Sequence, residues 1–163
     1  RGSILEDVQP VGYHAWGDEN QVLMFVLGVG GHPATLQIGD LRDGSARVIV
    51  DNPGRSLHKV PGQHAVSFVR KVTDAEWWIE MIDLDSGEFT RLLQTRPGRE
   101  DYAWTPDGRL VMGDASRLFI ARPDQQWVEL TDLTPVGVTG ITRLAISPDG
   151  TRIAIVGDRP TAR

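Results

Sequence analysis

A five-residue phrase occurs twice in the sequence and constrains the fold more than any other feature. Residues 104–108 read Trp-Thr-Pro-Asp-Gly, and residues 146–150, 42 positions further on, read Ile-Ser-Pro-Asp-Gly. In both copies the proline presets the backbone of a turn, the aspartate bonds the backbone two residues on, and the glycine supplies a positive φ angle. Apolar residues alternate on either side of each turn, which is typical of β-strands. A turn that recurs at this interval predicts a protein built from repeated strand units.

Two series of turns run through the chain out of phase, and together they set the number of strands. The first series continues backwards from Trp104 to Val60 and Trp16, in steps of 44 residues. The second contains residues 40–44 and 83–87, which both read Asp-Leu-x-x-Gly and are spaced 43 residues apart. Two turns per period imply two hairpins and hence four strands per unit. The sequence therefore predicts an all-β fold of β-propeller blades, each with four antiparallel strands.

The strand pattern predicts about three full blades and partial terminal blades within a single domain that covers residues 1–163. Full blades are expected at 11–54, 55–98 and 99–137, followed by a partial blade at 138–163 with strands at 141–146 and 151–156. A leftover outer strand is expected at 3–8, centred on Ile4–Val8. Unpaired strand edges and uncovered blade faces favour association. We therefore expect a partial or self-assembling propeller that forms a homo-oligomer through its incomplete terminal blades.

Two segments carry a resemblance to a known family. Residues 102–108, Tyr-Ala-Trp-Thr-Pro-Asp-Gly, and residues 144–154, Leu-Ala-Ile-Ser-Pro-Asp-Gly-Thr-Arg-Ile-Ala, resemble the inner-strand and turn motif of TolB-type, WD40-like β-propellers. The resemblance covers nearly the whole chain, although the first two blades depart from the motif in the turn. It implies a fold rather than one activity, because such blades occur in periplasmic scaffold proteins and in the gating propellers of prolyl-oligopeptidase-like enzymes. Rings of six or more blades are usual in this family.

Composition excludes several classes of function. The 163 residues carry 22 acidic and 17 basic side chains, a net charge of −5, which argues against general binding to a nucleic-acid backbone. No apolar run approaches the roughly 18–20 residues that span a bilayer, so no membrane insertion is expected. Cysteine is absent, which leaves neither disulfides nor thiolate chemistry. The expected compartment is periplasmic or extracellular if an upstream segment carries a signal peptide, and cytoplasmic otherwise.

The candidate ligand-binding residues lie in or near the first halves of the inner strands, which line the central channel of a propeller. The predicted set at the channel mouth is His14, Arg55, His58, Arg99, Asp101, Tyr102 and Arg143. Asp101 and Arg143 hold equivalent positions on adjacent blades. They form either an ion pair between blades or part of a polar mouth that grips a peptide terminus or a small anion.

Histidines and tryptophans recur at the blade period as well. His14 and His58 are 44 residues apart, so two neighbouring inner strands could offer them to a metal. No Cys, Asp or Glu occupies the next equivalent position, and we therefore expect packing and hydrogen bonding between blades, with no metal and no other cofactor. Trp16 and Trp104 end inner strands at a recurrent position, where we expect core packing.

The motifs of common enzyme classes are missing from the sequence. It contains neither a Gly-x-Ser-x-Gly nucleophile elbow nor a phosphate-cradling glycine loop that ends in lysine. We therefore expect a protein that is not an enzyme: a binding or scaffold propeller that recognises a protein, a peptide or a small ligand at the channel mouth. The alternative is a gating propeller from a larger hydrolase of the prolyl-oligopeptidase-like type, whose catalytic domain lies outside these residues.

Overall fold

The computed structural model describes residues 5–158, which form fourteen β-strands and one short 3-10 segment, Thr134–Val136. Blade one contains β1 (Val11–Trp16), β2 (Gln21–Val26), β3 (Thr35–Asp40) and β4 (Ser45–Asp51). Blade two contains β5 (Pro53–Lys59), β6 (Ala65–Lys71), β7 (Trp77–Asp83) and β8 (Phe89–Gln94). Blade three contains β9 (Tyr102–Trp104), β10 (Leu110–Asp114), β11 (Arg117–Ala121) and β12 (Val128–Asp132), and blade four contains β13 (Thr139–Ile146) and β14 (Ile153–Asp158).

Each blade is an antiparallel sheet whose strands pair in chain order. The first three sheets have four strands each, and β13 pairs with β14 in a two-stranded sheet. The inner strands β1, β5, β9 and β13 lie next to one another along the series of blades. The prediction of an all-β propeller with three full blades and a partial blade is confirmed. No helix in residues 5–158 has the length and apolarity of a membrane-spanning segment.

The core lies between successive blades, because strand alternation gives every sheet two apolar faces. We call the face that points towards the next blade in the chain the front face, and the opposite one the back face. The front of blade one packs Leu23 and Phe25 against Leu57 and Phe68 on the back of blade two. Phe68 has no exposed surface, and full burial of such a side chain contributes about 1.5–3 kcal/mol. Blades two, three and four are joined by two further apolar clusters of the same kind.

The predicted leftover strand is not formed in the described residues. Residues 5–8 make a turn, in which the Val8 amide donates a hydrogen bond of 3.0 Å to the Leu5 carbonyl. Leu5 has a φ angle of 60°, outside the β region, and its side chain packs with Val8 on the back of blade one over Val22 and Met24. The segment therefore covers part of a blade face instead of adding a strand to an edge. Residues 3 and 4 of the predicted strand lie outside the described residues.

Candidate ligand-binding site at the mouth

A cavity of about 300 Å³, which we call the mouth pocket, opens where blades two, three and four meet. Its lining includes Arg55 from the start of β5, Arg99 and Asp101 from the segment before β9, and Arg143 from β13. The structure therefore brings four of the seven predicted site residues together. Arg55 belongs to blade two, Arg99 and Asp101 to blade three, and Arg143 to blade four. They meet because the blade repeat places the same end of every inner strand at one end of the fold.

Glu100 is the central acceptor of this pocket. Its carboxylate accepts hydrogen bonds from Arg55 Nε at 2.6 Å and from Lys71 Nζ at 2.9 Å, and it is 9% exposed. Burial acts to raise the pKa of Glu100, but the hydrogen bonds from Lys71 and Arg55 outweigh it and hold the pKa below its ordinary value. Glu100 is therefore an ionised acceptor that fixes two cations from blade two at the edge of the pocket.

Asp101 and Arg143 form the ion pair between blades three and four that was one of the two sequence-based interpretations. Arg143 donates through Nη1 to Asp101 Oδ2 and also to the Thr142 carbonyl, the latter at 2.8 Å. Burial raises the pKa of Asp101 above its ordinary value, and the Arg143 guanidinium opposes that rise. The pair thus joins two blades at the pocket wall while its carboxylate is partly withdrawn from water.

A third cluster of charges completes the pocket wall. Asp114, at the end of β10, accepts from Arg99 Nε at 3.0 Å and from Arg96 Nη2 at 3.1 Å. Gly98 precedes Arg99 with a φ angle of 68°, a conformation that favours glycine and turns the chain into the pocket. The local backbone and the Asp114 carboxylate together place the Arg99 guanidinium.

Glu100 and Trp77 line the pocket and Lys71 pairs with Glu100, but none of these three was among the predicted site residues. Lys71 ends β6, and its Nζ lies 4.4 Å from the centre of the Trp77 ring at the start of β7. Antiparallel pairing of β5 with β6 sets Pro53 opposite Arg70, so the end of β6 lies beside the start of the inner strand. Hairpin register is therefore the sequence signal for Lys71, because it sets the end of β6 beside the inner strand.

Tyr102 does not line the mouth pocket, although it was predicted to. Its side chain is 1% exposed on the back of blade three, where its hydroxyl donates to Ser67 Oγ of blade two at 2.8 Å. Strand alternation explains the difference, because Asp101 and Tyr102 are consecutive and their side chains point to opposite faces. Tyr102 is a packing residue between blades two and three.

His14 and His58 point in opposite directions in spite of their spacing of one repeat. His14 lies on the back of blade one, opposite Met24, in a pocket beside Trp16. His58 lies on the front of blade two, where its ring is 4.8 Å from that of Tyr102. Register shifts occur in both hairpins, and a slip of one residue moves a strand's side chains to the other face. Neither histidine lines the mouth pocket, and in residues 5–158 no group of three histidine or carboxylate side chains is placed to hold a metal ion.

Ser56 and His58 are at a distance that suits a nucleophile and its base. Ser56 Oγ lies 3.0 Å from His58 Nε2, but Ser56 is only 7% exposed. Burial lowers the pKa of His58 to about 4, so the imidazole is neutral at physiological pH. No carboxylate within residues 5–158 forms a hydrogen bond or ion pair with the His58 ring. The arrangement is a buried hydrogen bond within β5 and lacks the orienting group that a catalytic triad uses.

A second pocket, of about 450 Å³, lies at the other ends of the inner strands and includes His58, Lys59 and Trp104 in its lining. The hydroxyls of Thr105 and Ser147 at this end are bonded to the aspartates of their own turns, at 2.6 Å in both cases. These polar groups are therefore occupied in holding the turns. The mouth pocket offers more charged donors and is the better candidate site.

Trp16 and Trp104 hold equivalent positions on the backs of their blades but differ in surroundings. Trp104 is half-buried against blade two, and its Nε1 donates to Ser67 Oγ at 2.9 Å. Trp16 is 48% exposed, contrary to the expectation of core packing. Within residues 5–158 no blade lies behind blade one, and the turn at residues 5–8 covers only part of this face. Exposure of Trp16 follows from the missing neighbour rather than from the sequence of β1.

Comparison with solved structures places this architecture among TolB-like β-propellers. The structure is similar to that of TolB from Acinetobacter baumannii, with a TM-score of 0.66 and 19% identity, over 94% of this chain and 39% of that one. It is also similar to an oligogalacturonate lyase solved in complex with manganese, with a TM-score of 0.52 and 19% identity, over 85% of this chain and 44% of that one. The chain thus spans less than half the length of either protein. No protein-family model and no curated protein sequence matches it.

Proposed function

We propose that this protein is a non-catalytic binding propeller that holds a ligand at the mouth pocket. The observation that carries the proposal is the convergence of Arg55, Arg99, Asp101 and Arg143, from three successive inner-strand regions, on one cavity of about 300 Å³. Ligand sites in proteins occupy about 300–1,000 Å³ and combine an apolar wall with a few polar groups. Trp77 and Ile141 supply apolar surface beside the charged side chains.

The chemistry of the pocket favours binding over catalysis. Each carboxylate near the pocket is paired with a cation, so none is a free general base. The nearest serine and histidine pair, Ser56 and His58, is buried in β5 and has no orienting carboxylate among residues 5–158. Similarity in fold to a lyase does not alter this view, because one fold supports many unrelated activities.

A variant that fills the pocket tests the proposal. Thr142 lines the mouth pocket and is exposed, so Thr142→Trp places a large side chain in the cavity. Thr90→Trp is the matched control, because Thr90 is exposed on β8 and does not line the pocket. Peptides and small molecules are first selected on the unaltered protein by display and by a ligand-observed NMR screen. The selected ligands should lose binding to Thr142→Trp, keep it with Thr90→Trp, and be recovered chemically unchanged.

Two outcomes would contradict this function. Ligands that bind Thr142→Trp as well as the unaltered protein would show that recognition takes place elsewhere on the surface. A ligand that is converted to a product during incubation would show that the pocket is catalytic. Thermal melts of both variants separate a blocked pocket from a misfolded protein.

We further propose that two copies associate through the open back of blade one. Trp104 shows how such a face is normally covered, since its indole packs on the front of the preceding blade. Trp16 occupies the same position uncovered, beside the exposed Val11. On blade four, the β14 residue Val156 is 58% exposed, and β14 has no third strand beside it within residues 5–158. The back of one copy and the partial blade of the other therefore offer matching apolar surfaces.

Light scattering over a range of protein concentrations tests this association. The unaltered protein should change from monomer to dimer as concentration rises, and Trp16→Glu should remain monomeric, because a carboxylate cannot be buried there without a partner. Val128→Glu is the control, since Val128 is 64% exposed on the outer strand of blade three. A monomer at every concentration, or equal weakening by both variants, would overturn the proposal.

A further inference from the structure

The three arginines of the mouth pocket are held in place without using most of their donors. Arg55 bonds a carboxylate through Nε, Arg99 does the same through Nε, and Arg143 bonds through Nη1 alone. A guanidinium carries five N–H donors in a fixed planar fork. The other guanidinium nitrogens of these three side chains have no hydrogen-bond partner within residues 5–158. The carboxylates thus act as supports that position each fork and leave donors available for a ligand.

The local charge is opposite to that of the chain. The cluster contains five cations and three carboxylates: Arg55, Lys71, Arg96, Arg99 and Arg143 with Glu100, Asp101 and Asp114. Its excess of two positive charges stands within a protein of net charge −5. A concave surface of one sign attracts ligands of the other sign, and here the attraction is for anions.

We propose that the mouth pocket binds ligands with two or more carboxylates, an inference that rests on the proposed binding function and specifies its ligand class. A planar carboxylate can accept two parallel hydrogen bonds from one arginine guanidinium group. A lysine ammonium acts as a single point charge and does not offer this paired geometry. The free donors belong to three different inner-strand regions, so a ligand bridges them best when its carboxylates are separated along a backbone. Trp77 and Ile141 form an apolar wall for the carbon skeleton that joins the carboxylates. An acidic peptide segment and a small polycarboxylate share this chemistry.

Calorimetric titration with matched probes tests the ligand class. The acidic probes are tetraglutamate and citrate, the neutral probe is tetraglutamine, and inorganic phosphate represents a compact anion. Arg99→Gln removes one fork and should weaken binding of the acidic probes about tenfold, because a charge-assisted pair is lost. Arg99→Lys keeps the charge but not the fork and should recover only part of that loss. Arg117→Gln is the control, because Arg117 pairs with Glu129 and Asp132 on the outer strands of blade three.

Comparing the affinities of the two acidic probes shows which kind of molecule carries the carboxylates. Preference for tetraglutamate identifies a peptide, preference for citrate identifies a small molecule, and either result supports the ligand class. Binding should also weaken as salt is added, because the contributing charges are partly exposed.

Three outcomes would overturn the inference, and they separate it from the proposed function. If tetraglutamine binds and Thr142→Trp removes that binding while the acidic probes do not bind, the function stands and the carboxylate class is wrong. If phosphate binds more tightly than both acidic probes, the site recognises compact anions instead. If the acidic probes bind equally to the unaltered protein, Arg99→Gln and Thr142→Trp, the mouth pocket is not their site. Thermal melts of each variant confirm that the blades remain folded.

Discussion

The hydroxyl of Tyr102 in blade three donates a hydrogen bond of 2.8 Å to Oγ of Ser67 in blade two. The same oxygen accepts a bond of 2.9 Å from Trp104 Nε1 and donates one of 3.2 Å to the His58 carbonyl. Ser67 has no exposed surface, and burial raises the pKa of Tyr102 above its ordinary value. One small hydroxyl therefore accepts from one buried and one half-buried donor at the junction of blades two and three.

Ser67→Ala should destabilise the protein by about 1–3 kcal/mol. The substitution leaves the Tyr102 hydroxyl and the Trp104 indole N–H without their acceptor in a buried site, which costs more than the loss of an exposed hydrogen bond. Urea unfolding followed by tryptophan fluorescence measures the change.

Tyr102→Phe is the companion variant and should lower the free energy of unfolding by less, about 0.5–1.5 kcal/mol. It removes the hydroxyl itself, so no donor at position 102 is left without an acceptor. The double variant should lose less than the sum of the two single losses. Additive losses would show that the hydroxyl pair contributes no coupling at this junction.

Asp101 and Arg143 should behave as a coupled pair. Either single charge reversal, Asp101→Arg or Arg143→Asp, places like charges together at the wall of the mouth pocket. The combined variant restores opposite charges and should recover about 1 kcal/mol relative to the sum of the single losses. A double-mutant cycle on the free energy of unfolding measures this coupling, and a coupling energy of zero would remove the pair as a contact between blades three and four.

His64 links blades one and two and should make stability depend on pH. Its Nδ1 lies 2.8 Å from Asp85, and its Nε2 lies 3.1 Å from Asp18 of blade one. The hydrogen bond to Asp85, and after it the one to Asp18, raises the pKa of His64 above its ordinary value of 6.5. Asp83 is a third carboxylate that interacts electrostatically with the same imidazole. A raised folded-state pKa means that this stabilisation is complete below about pH 6.5 and is lost as pH rises through the raised value. The melting temperature should therefore fall with rising pH in that window.

Thermal melts at intervals from about pH 6 to about pH 8 test the His64 contact. His64→Gln should flatten the pH dependence, because glutamine does not titrate. His32→Gln is the control, since His32 is exposed and forms no ion pair among the described residues. If His64→Gln and the unaltered protein show the same slope, another group governs the pH response.

Gly113→Ala should destabilise the junction of blades three and four. A Cβ on Gly113 would overlap Cγ2 of Ile141 and lie 2.9 Å from its Cβ, and Ile141 is 3% exposed on β13. Ile141 is β-branched, and its restricted χ1 angle does not let the side chain turn away from the new Cβ. Blade four must therefore shift, at a cost of about 1–3 kcal/mol. Gly12→Ala is the matched control, because its nearest neighbour, Phe25 Cδ1, lies at an ordinary 3.4 Å. Equal unfolding midpoints in urea for the two variants would contradict this packing argument.

Local sequence predicted the turns and the strands well, because their causes are local. In the turn at residues 105–108, the Thr105 hydroxyl bonds Asp107 at 2.6 Å and Gly108 adopts a φ angle of 78°. Ser147, Asp149 and Gly150 repeat the arrangement in blade four. These contacts span two to four residues, so the repeated phrase was enough to place the hairpins and to indicate four strands per blade.

Sequence also indicated the mouth, since Arg55, Arg99, Asp101 and Arg143 lie in or just before inner strands and these regions meet in a propeller. It missed the ion pair of Glu100 with Lys71, because the two residues belong to different blades. Their contact depends on how blade two packs on blade three, which spacing along one chain does not report.

Only the tertiary structure decided which face each side chain occupies. His14 and His58 share a repeat spacing but lie on opposite faces, because side chains alternate with a period of two and a shift in strand register moves them from one face to the other. Trp16 and Trp104 share a position but not an environment, because burial depends on the neighbouring blade. The sequence by itself determined the blades, through turn chemistry and alternation within a few residues. The packing of one blade on the next decided the site, because the distances between side chains of different blades exist only once the sheets are stacked.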